Sequence, residues 1–328
     1  MIVEATQNGI FIEMSAYLTV ERIEFVVTNR CNSNCRHCLI DKNKRKLKPA
    51  AVGIELATKV IKEVAGKFSP QSLMTFGGEP LLFPDVVCAI HRTARDCGIA
   101  KREIITNAGW QKSEDDSREI ARKLAESGVT DMAISVDGFH REYLPTVVVK
   151  QNVSKLLDAG ISVAWNPCWV ISKEHNNPWN TRTRAVLSEL SHLPVPESKG
   201  NTVQPAGNAL GFLGEYLPEK TASPDGNCED VPYSSKPDRI KVISIEPNGD
   251  ISICREFSIG NAGKQNIIDL LENYDPYQFP EMAAVLQGGT AKLEEYTRQK
   301  GMVPAAGGYY SICDKCVDLR RRLREIAI

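Results

Sequence analysis

Short apolar runs alternate with amphipathic segments along the first two-thirds of the chain. Phe25–Thr28, Leu73–Phe76, Ile104–Thr106, Met132–Val136, Ile161–Trp165 and Thr202–Gln204 are β-rich, and each ends in polar or small residues. Between most of them, apolar residues repeat with a helical period. Ile54, Ala57, Val60, Ile61 and Val64 form one stripe stopped at Gly66, and Val87, Ile90, Ala94 and Cys97 form another stopped at Gly98. Ile120 and Leu124, with Ser113 as cap and Gly128 as stop, line a third; Val153, Leu156 and Leu157 line a fourth before Gly160. One strand and one helix recur about every thirty residues, the period of parallel strands joined by helical crossovers. Six such units predict an α/β fold, a partial (β/α)6 TIM-like barrel, with the strand C-termini converging on the reactive face.

After Gln204 the pattern changes. The Pro- and Gly-rich stretch Pro205–Asn227 reads as an irregular entry to a second region. Arg239–Glu246 and Asp250–Ile253 read as two strands joined by Pro247-Asn248-Gly249, where Asn-Gly favours a tight hairpin turn. Helical runs follow at Ile267–Tyr274 and Met282–Gln287, and a basic, leucine-containing helix closes the chain. Two domains are expected, residues 1–210 and a small α+β domain of residues 211–328.

Composition narrows the partners. The 328 residues can bury a substantial core, and 40 basic against 41 acidic residues give a net charge of −1. No global basic footprint for nucleic acid or an anionic membrane exists. The runs Lys42–Lys48 and Arg320–Arg324 read as solvated faces. Glu4 and Glu13 stand where a signal peptide would be apolar, and no apolar run approaches the ~18 residues of a membrane span. A cytoplasmic location is expected, with no membrane partner. Ten cysteines in a reducing compartment then point to metal rather than to disulfides.

The densest group is Cys31-Asn32-Ser33-Asn34-Cys35-Arg36-His37-Cys38, directly after the first strand. Thiolates spaced C-x3-C-x2-C can hold three irons of a [4Fe-4S] cube and leave the fourth without a protein ligand. A zinc knuckle needs a fourth ligand, and the nearby one is His37, crowded between Cys35 and Cys38. The triplet resembles the signature of the radical S-adenosylmethionine (SAM) superfamily. That resemblance implies that the open iron chelates SAM, that an electron from a donor such as flavodoxin or ferredoxin cleaves it, and that a 5′-deoxyadenosyl radical abstracts hydrogen from substrate. Phe76-Gly77-Gly78-Glu79-Pro80, one strand later, matches the family's motif for the SAM amino group, which implies Gly77, Gly78 and Glu79 as SAM contacts. Asn107 after the third strand, and Ser135 and Asp137 after the fourth, resemble contacts to the SAM ribose and carboxylate. His37 stands where the family often places an aromatic residue near adenine.

Cys228, Cys254 and the pair Cys313-Asp314-Lys315-Cys316 resemble the auxiliary-cluster extensions called Twitch and SPASM, and fit the shorter form. The resemblance implies a second [4Fe-4S] cluster; a four-thiolate zinc ribbon fits the same spacing. Cys88 and Cys97 read as small core hydrophobes. Cys168, in Trp165-Asn166-Pro167-Cys168-Trp169, lies at the reactive end of the fifth strand. It is either a thiol packed between tryptophans or a hydrogen-atom donor, as in radical SAM epimerases. For function the resemblance implies oxidative modification of a peptide or protein side chain, with small-molecule dehydrogenation or epimerisation as the alternative. A non-catalytic iron–sulfur or zinc-binding protein is the reading from another class.

Overall fold

The computed structural model describes residues 15–40, 43–110, 113–231, 235–255 and 257–326, so Glu4, Glu13 and Lys42 lie outside the described residues. The chain divides into two compact units, Arg22–Leu217 with Ser244–Gly249, and Pro218–Ile243 with Asp250–Ile328 and Met1–Glu21.

In the first unit five strands lie side by side in chain order: β1 (Leu18–Thr28), β2 (Ser72–Gly77), β3 (Lys101–Thr106), β4 (Asp131–Ser135) and β5 (Ser162–Asn166). Every neighbouring pair is parallel. The crossovers are α1 (Ile54–Phe68), α2 (Pro84–Asp96), α3 (Glu114–Glu126) and α4 (Thr146–Asp158). Their apolar stripes are what hold them to the sheet. Ala57, Val60, Ile61 and Val64 of α1 are buried, as are Val87, Ile90 and Ala94 of α2. Burial of one such Val or Ile side chain contributes roughly 1.5–3 kcal/mol. The Ser113 hydroxyl caps α3 by accepting from the Asp116 N–H.

Three expectations change. Helix α1 runs through Gly66 to Phe68 and stops at Ser69, which takes the left-handed conformation at φ 51°. One glycine inside a helix costs only about 1 kcal/mol, less than the burial around it returns. Cys97 is the C-cap of α2 and is partly exposed, so of the two cysteines read as core hydrophobes only Cys88 is buried. The sixth strand is cut short. Pro167 interrupts the fifth strand before β6 (Cys168–Trp169), and after α5 (Pro178–Leu190) the chain returns as β7 (Asn201–Thr202), parallel to β6. The two segments still form a stepped ladder, in which the Trp165 N–H donates to Pro196, the Ser198 N–H to Trp165, the Asn201 N–H to Pro167 and the Val203 N–H to Trp169. The sheet does not close, which makes this α/β unit a partial barrel. A four-residue helix, α6 (Ala209–Phe212), follows.

Strand β8 (Ile240–Ile245) has Ile240–Ile243 in the second unit, which also contains β9 (Asp250–Cys254) and β10 (Phe257–Asn261), with β9 and β10 antiparallel. The predicted turn between β8 and β9 closes with the Gly249 N–H donating to the Glu246 carbonyl, and Gly249 sits at φ 88°, where glycine carries no steric penalty. Helices α7 (Ile267–Glu272), α8 (Pro280–Arg298) and α9 (Ile312–Ile326) complete it. Helix α8 is kinked at Gly288-Gly289.

Candidate cluster and cofactor sites

The cysteine triplet leaves β1 at a bulge in the β1–β2 ladder, between Val26 and Thr28. There the Gly-Gly-Glu segment hydrogen-bonds the backbone that leads into Cys31: the Gly78 N–H donates to the Thr28 carbonyl (2.7 Å) and the Glu79 N–H to the Arg30 carbonyl (2.8 Å). Gly77 has φ 132°, and a Cβ on Gly78 would run into the Arg30 carbonyl. Backbone approach, rather than any side chain, is why both positions need glycine.

Glu79 is fully buried. Its Oε1 accepts from the Leu81 N–H (2.9 Å) and the Thr106 hydroxyl (2.7 Å), and its Oε2 from the Asn107 N–H (2.8 Å). Burial raises its pKa, and these three donors pull it back. A carboxylate has about four acceptor positions, so one remains. Asn107 passes the restraint on. Its Nδ2 donates to Asn32 Oδ1 (2.8 Å), while Asn32 Nδ2 donates to the Gly109 carbonyl (2.6 Å). Glu79 and Asn107, both expected to touch SAM, therefore also hold the cysteine loop.

Donors aim at the triplet's sulfurs. The Ser33 N–H donates to Cys31 Sγ (3.4 Å) and Arg45 Nη2 to Cys38 Sγ (3.2 Å), and Cys35 is an electrostatic neighbour of the His140 ring. Burial pushes the Cys31 thiol up to about 11. Thiolates bound to iron are what such donors suit, and three thiols on one short loop leave a cluster iron open. Asn208 closes the loop from behind, its Nδ2 donating to the Cys35 carbonyl (2.9 Å) and its N–H to the Cys38 carbonyl (2.9 Å). Gly207 lies against Cys38 and Leu39 at φ 56°.

Asp137 is wholly inside. It accepts from the N–H groups of Phe139 (2.9 Å), His140 (2.9 Å) and Cys168 (3.2 Å), and from His140 Nδ1 (2.9 Å). Burial alone would raise its pKa, but the His140 ring holds it well below the usual carboxylate range. Burial would likewise lower His140, and the Asp137 charge instead lifts it well above the ordinary imidazole value. A SAM hydroxyl would have to compete with these donors for Asp137. Ser135 lines a cavity of about 10 Å³ with Asn107, Asp137 and His140, room for about one water. The His37 ring packs on Phe139 (4.6 Å between centroids) and edge-on to His140 (5.0 Å), and burial lowers its pKa to about 4. Cys168 is buried, and burial raises its thiol well above the ordinary value, so the sulfur keeps its proton.

The family model for the radical SAM superfamily matches residues 25–177, from the interior of β1 past the Cys168 strand. Those residues are a radical SAM domain. Domains of this family bind a [4Fe-4S] cluster and SAM, and Cys31, Cys35 and Cys38 lie within the matched residues. Among curated proteins the chain is similar to the GTP 3′,8-cyclase of Listeria monocytogenes, 28% identical over 136 residues, 42% of this chain and 39% of that one. It is also similar to the AdoMet-dependent heme synthase of Methanosarcina barkeri, 32% identical over 120 residues, 37% of this chain and 32% of that one. The matched region thus spans about two-fifths or less of the length of these relatives. Two solved structures share the fold: anSMEcpe with bound AdoMet, at TM-score 0.54 and 13% identity over 94% of this chain and 95% of that one, and BtrN with AdoMet and 2-DOIA, at 0.50 and 16% over 84% and 90%. No helix among the described residues is long and apolar enough to cross a membrane.

In the second unit four further thiols are electrostatic neighbours of one another. Cys228 has Cys316, Cys254 and Cys313 as electrostatic neighbours, and burial with that crowding pushes it up to about 12. Helix α9 presents Cys313, Cys316 and Arg320 at i, i+3 and i+7, one face of a helix. Lys315 points elsewhere and is fully buried, its Nζ bonded to Ser223 Oγ (2.7 Å), Asp225 (2.8 Å) and Glu294 (2.8 Å). It ties the segment before Cys228 to α8 and α9. The α8 kink serves the same segment, since the Thr290 N–H donates to the Gly226 carbonyl (3.0 Å) and Gly289, at φ 63°, leaves no room there for a Cβ.

Both basic runs read as solvated faces turn one arginine inward. Arg45 reaches Cys38 while Lys44 and Lys46 stay exposed, and Arg320 is buried beside Cys316 and Cys254 while Arg321 stays exposed. Sequence reasoning missed both, together with Asn208, His140 and Lys315. For Arg320 the helical spacing from Cys313 and Cys316 was the available signal.

Proposed function

We propose that this radical SAM enzyme removes two hydrogens from a peptide or protein side chain, using the four-cysteine centre as the outlet for one electron. The convergence of Cys228, Cys254, Cys313 and Cys316 carries the reading, because four protein ligands leave a cluster nowhere to bind substrate and suit it to electron transfer. When bound, the first cluster and SAM supply the 5′-deoxyadenosyl radical and the second supplies a one-electron acceptor. Abstraction of one hydrogen atom leaves a substrate radical that must lose one electron and one proton. The electron that enters from the external donor equals the one that leaves, so each turnover converts one SAM to 5′-deoxyadenosine and methionine.

On this reading the free acceptor position of Glu79 takes the SAM ammonium, and Gly77 and Gly78 let the backbone come close beside it. Asn107, Ser135 and Asp137 lie at the strand ends where ribose and carboxylate would sit, and His37 offers a ring to adenine. A second reading, small-molecule dehydrogenation or epimerisation, draws on the protonated Cys168 thiol, whose S–H could return hydrogen to a substrate radical.

Anaerobically reconstituted protein should hold about eight irons in two clusters. With reductant, SAM and candidate peptides, the parent should yield 5′-deoxyadenosine and a product two hydrogens lighter. Cys313→Ala with Cys316→Ala should still cleave SAM but make little product. Normal product from that folded variant would make the centre structural. Product of unchanged mass carrying one solvent deuterium, and lost in Cys168→Ala, would establish the second reading instead.

A further inference from the structure

Arg320 is 2% exposed, yet among the described residues no buried carboxylate meets its charge. One N–H group, on Nη2, donates to the Arg255 carbonyl (2.9 Å). Nε and Nη1 are buried, and no oxygen or nitrogen acceptor meets them; the Cys316 and Cys254 sulfurs are the groups beside them. The guanidinium lies over the Phe257 ring at 5.5 Å, and its foremost electrostatic partners are the Cys316 and Cys254 sulfurs, ahead of Glu281. An unsatisfied buried donor costs about 1–3 kcal/mol, more when charged. Thiols are weak acceptors for two such donors, and metal-bound thiolates are strong ones.

We infer that Arg320 donates to the Cys254 and Cys316 thiolates of the loaded centre and sets its reduction potential, keeping it oxidising enough to take the substrate's electron. The inference rests on the reading of that centre as an iron–sulfur cluster. One-electron reduction adds a negative charge and forms or breaks no covalent bond. A fixed cation in a dry site stabilises the reduced form more than the oxidised form, and hydrogen bonds to sulfur act in the same direction. Arg320 lies four and seven residues beyond Cys316 and Cys313 on its own helix, so helix geometry holds it in place.

The test uses full-length protein carrying Cys31→Ala, Cys35→Ala and Cys38→Ala, so that only the second centre is read. Arg320→Gln and Arg320→Lys are made in that background. Iron and zinc are counted, and the midpoint is found by reductive titration followed through the paramagnetic signal of the reduced cluster. Arg320→Gln should favour the oxidised form at least tenfold, which is 59 mV for one electron. Arg320→Lys keeps the charge and loses the fork, and should shift the equilibrium at least threefold in the same direction. If the Gln variant loses its iron, the Lys variant decides by that threefold mark. Iron content equal to the parent with the midpoint unmoved would overturn the tuning role. So would loss of iron from both variants, which would make Arg320 structural. Zinc without iron in the unsubstituted background would overturn the cluster reading, and this inference with it.

Discussion

Replacing Lys315 by Met removes a buried ammonium while keeping its length and apolar stem. Three bonds are lost, to Ser223, Asp225 and Glu294, at 2.7–2.8 Å. Breaking a buried ion pair costs about 3–5 kcal/mol when the remaining charge is stranded. Here the stranding is partial. The Asp225 side chain is 59% exposed and returns to water, whereas that of Glu294 is 13% exposed and keeps Arg298 at 2.7 Å. A loss of about 2–3 kcal/mol follows, on the low side of that range. Because a chain with two units need not unfold in one step, a global midpoint is the wrong readout. Amide hydrogen exchange is the better assay, and about 2–3 kcal/mol corresponds to roughly thirty- to hundred-and-fifty-fold faster exchange in the segment before Cys228 and in α9. Iron retention at the four cysteines should fall in parallel. Exchange within about threefold of the parent, with iron unchanged, would refute the view of Lys315 as the tie that positions Cys228.

Glu79→Gln keeps the shape but presents an N–H2 to groups that are themselves donors, so SAM affinity measured by equilibrium dialysis should drop at least tenfold; unchanged affinity would reduce the motif to a turn. Gly78→Ala drives a methyl into the Arg30 carbonyl, and iron analysis should show the triplet's cluster depleted with the second centre intact. Glu294 is pushed up by burial but held by Lys315 at about 2, against an ordinary 4.5. A depressed carboxyl stabilises the fold fully above its unfolded value, so protection of α8 and α9 should weaken as pH falls from about 4.5 towards about 2, and flat protection over that window would contradict the pairing.

The triplet, the Gly-Gly-Glu motif and the late Cys pair stand out in sequence because each is local: a few residues in register carry the signal. Five of the six strands were legible for the same reason, through period and turn residues. What was not legible depends on who lies opposite. Arg45 and Arg320 look like members of solvated basic runs until the thiols they face are known, and Asn208 meets Cys35 across 173 residues of chain. Pro167 interrupts the fifth strand through a missing N–H, a fault visible in sequence, but only pairing with the returning segment shows that the ladder steps sideways and continues. Cys97 followed the helical period to its last position, one residue beyond where the helix ends.

The raised thiols have a bearing on how the protein is assembled. Cys31 and Cys254 sit at about 11 and Cys228 at about 12, so at neutral pH these three thiols hold their protons when metal-free. Loading is therefore an exchange in which each of these sulfurs gives up a proton as it takes iron. Assembly should grow more favourable as pH rises, and its measured heat should change with the ionisation enthalpy of the buffer that collects the protons; equal heats in phosphate and Tris would contradict this. Beside each set of thiols an arginine already waits, so the protein carries the positive half of each site before the negative half exists.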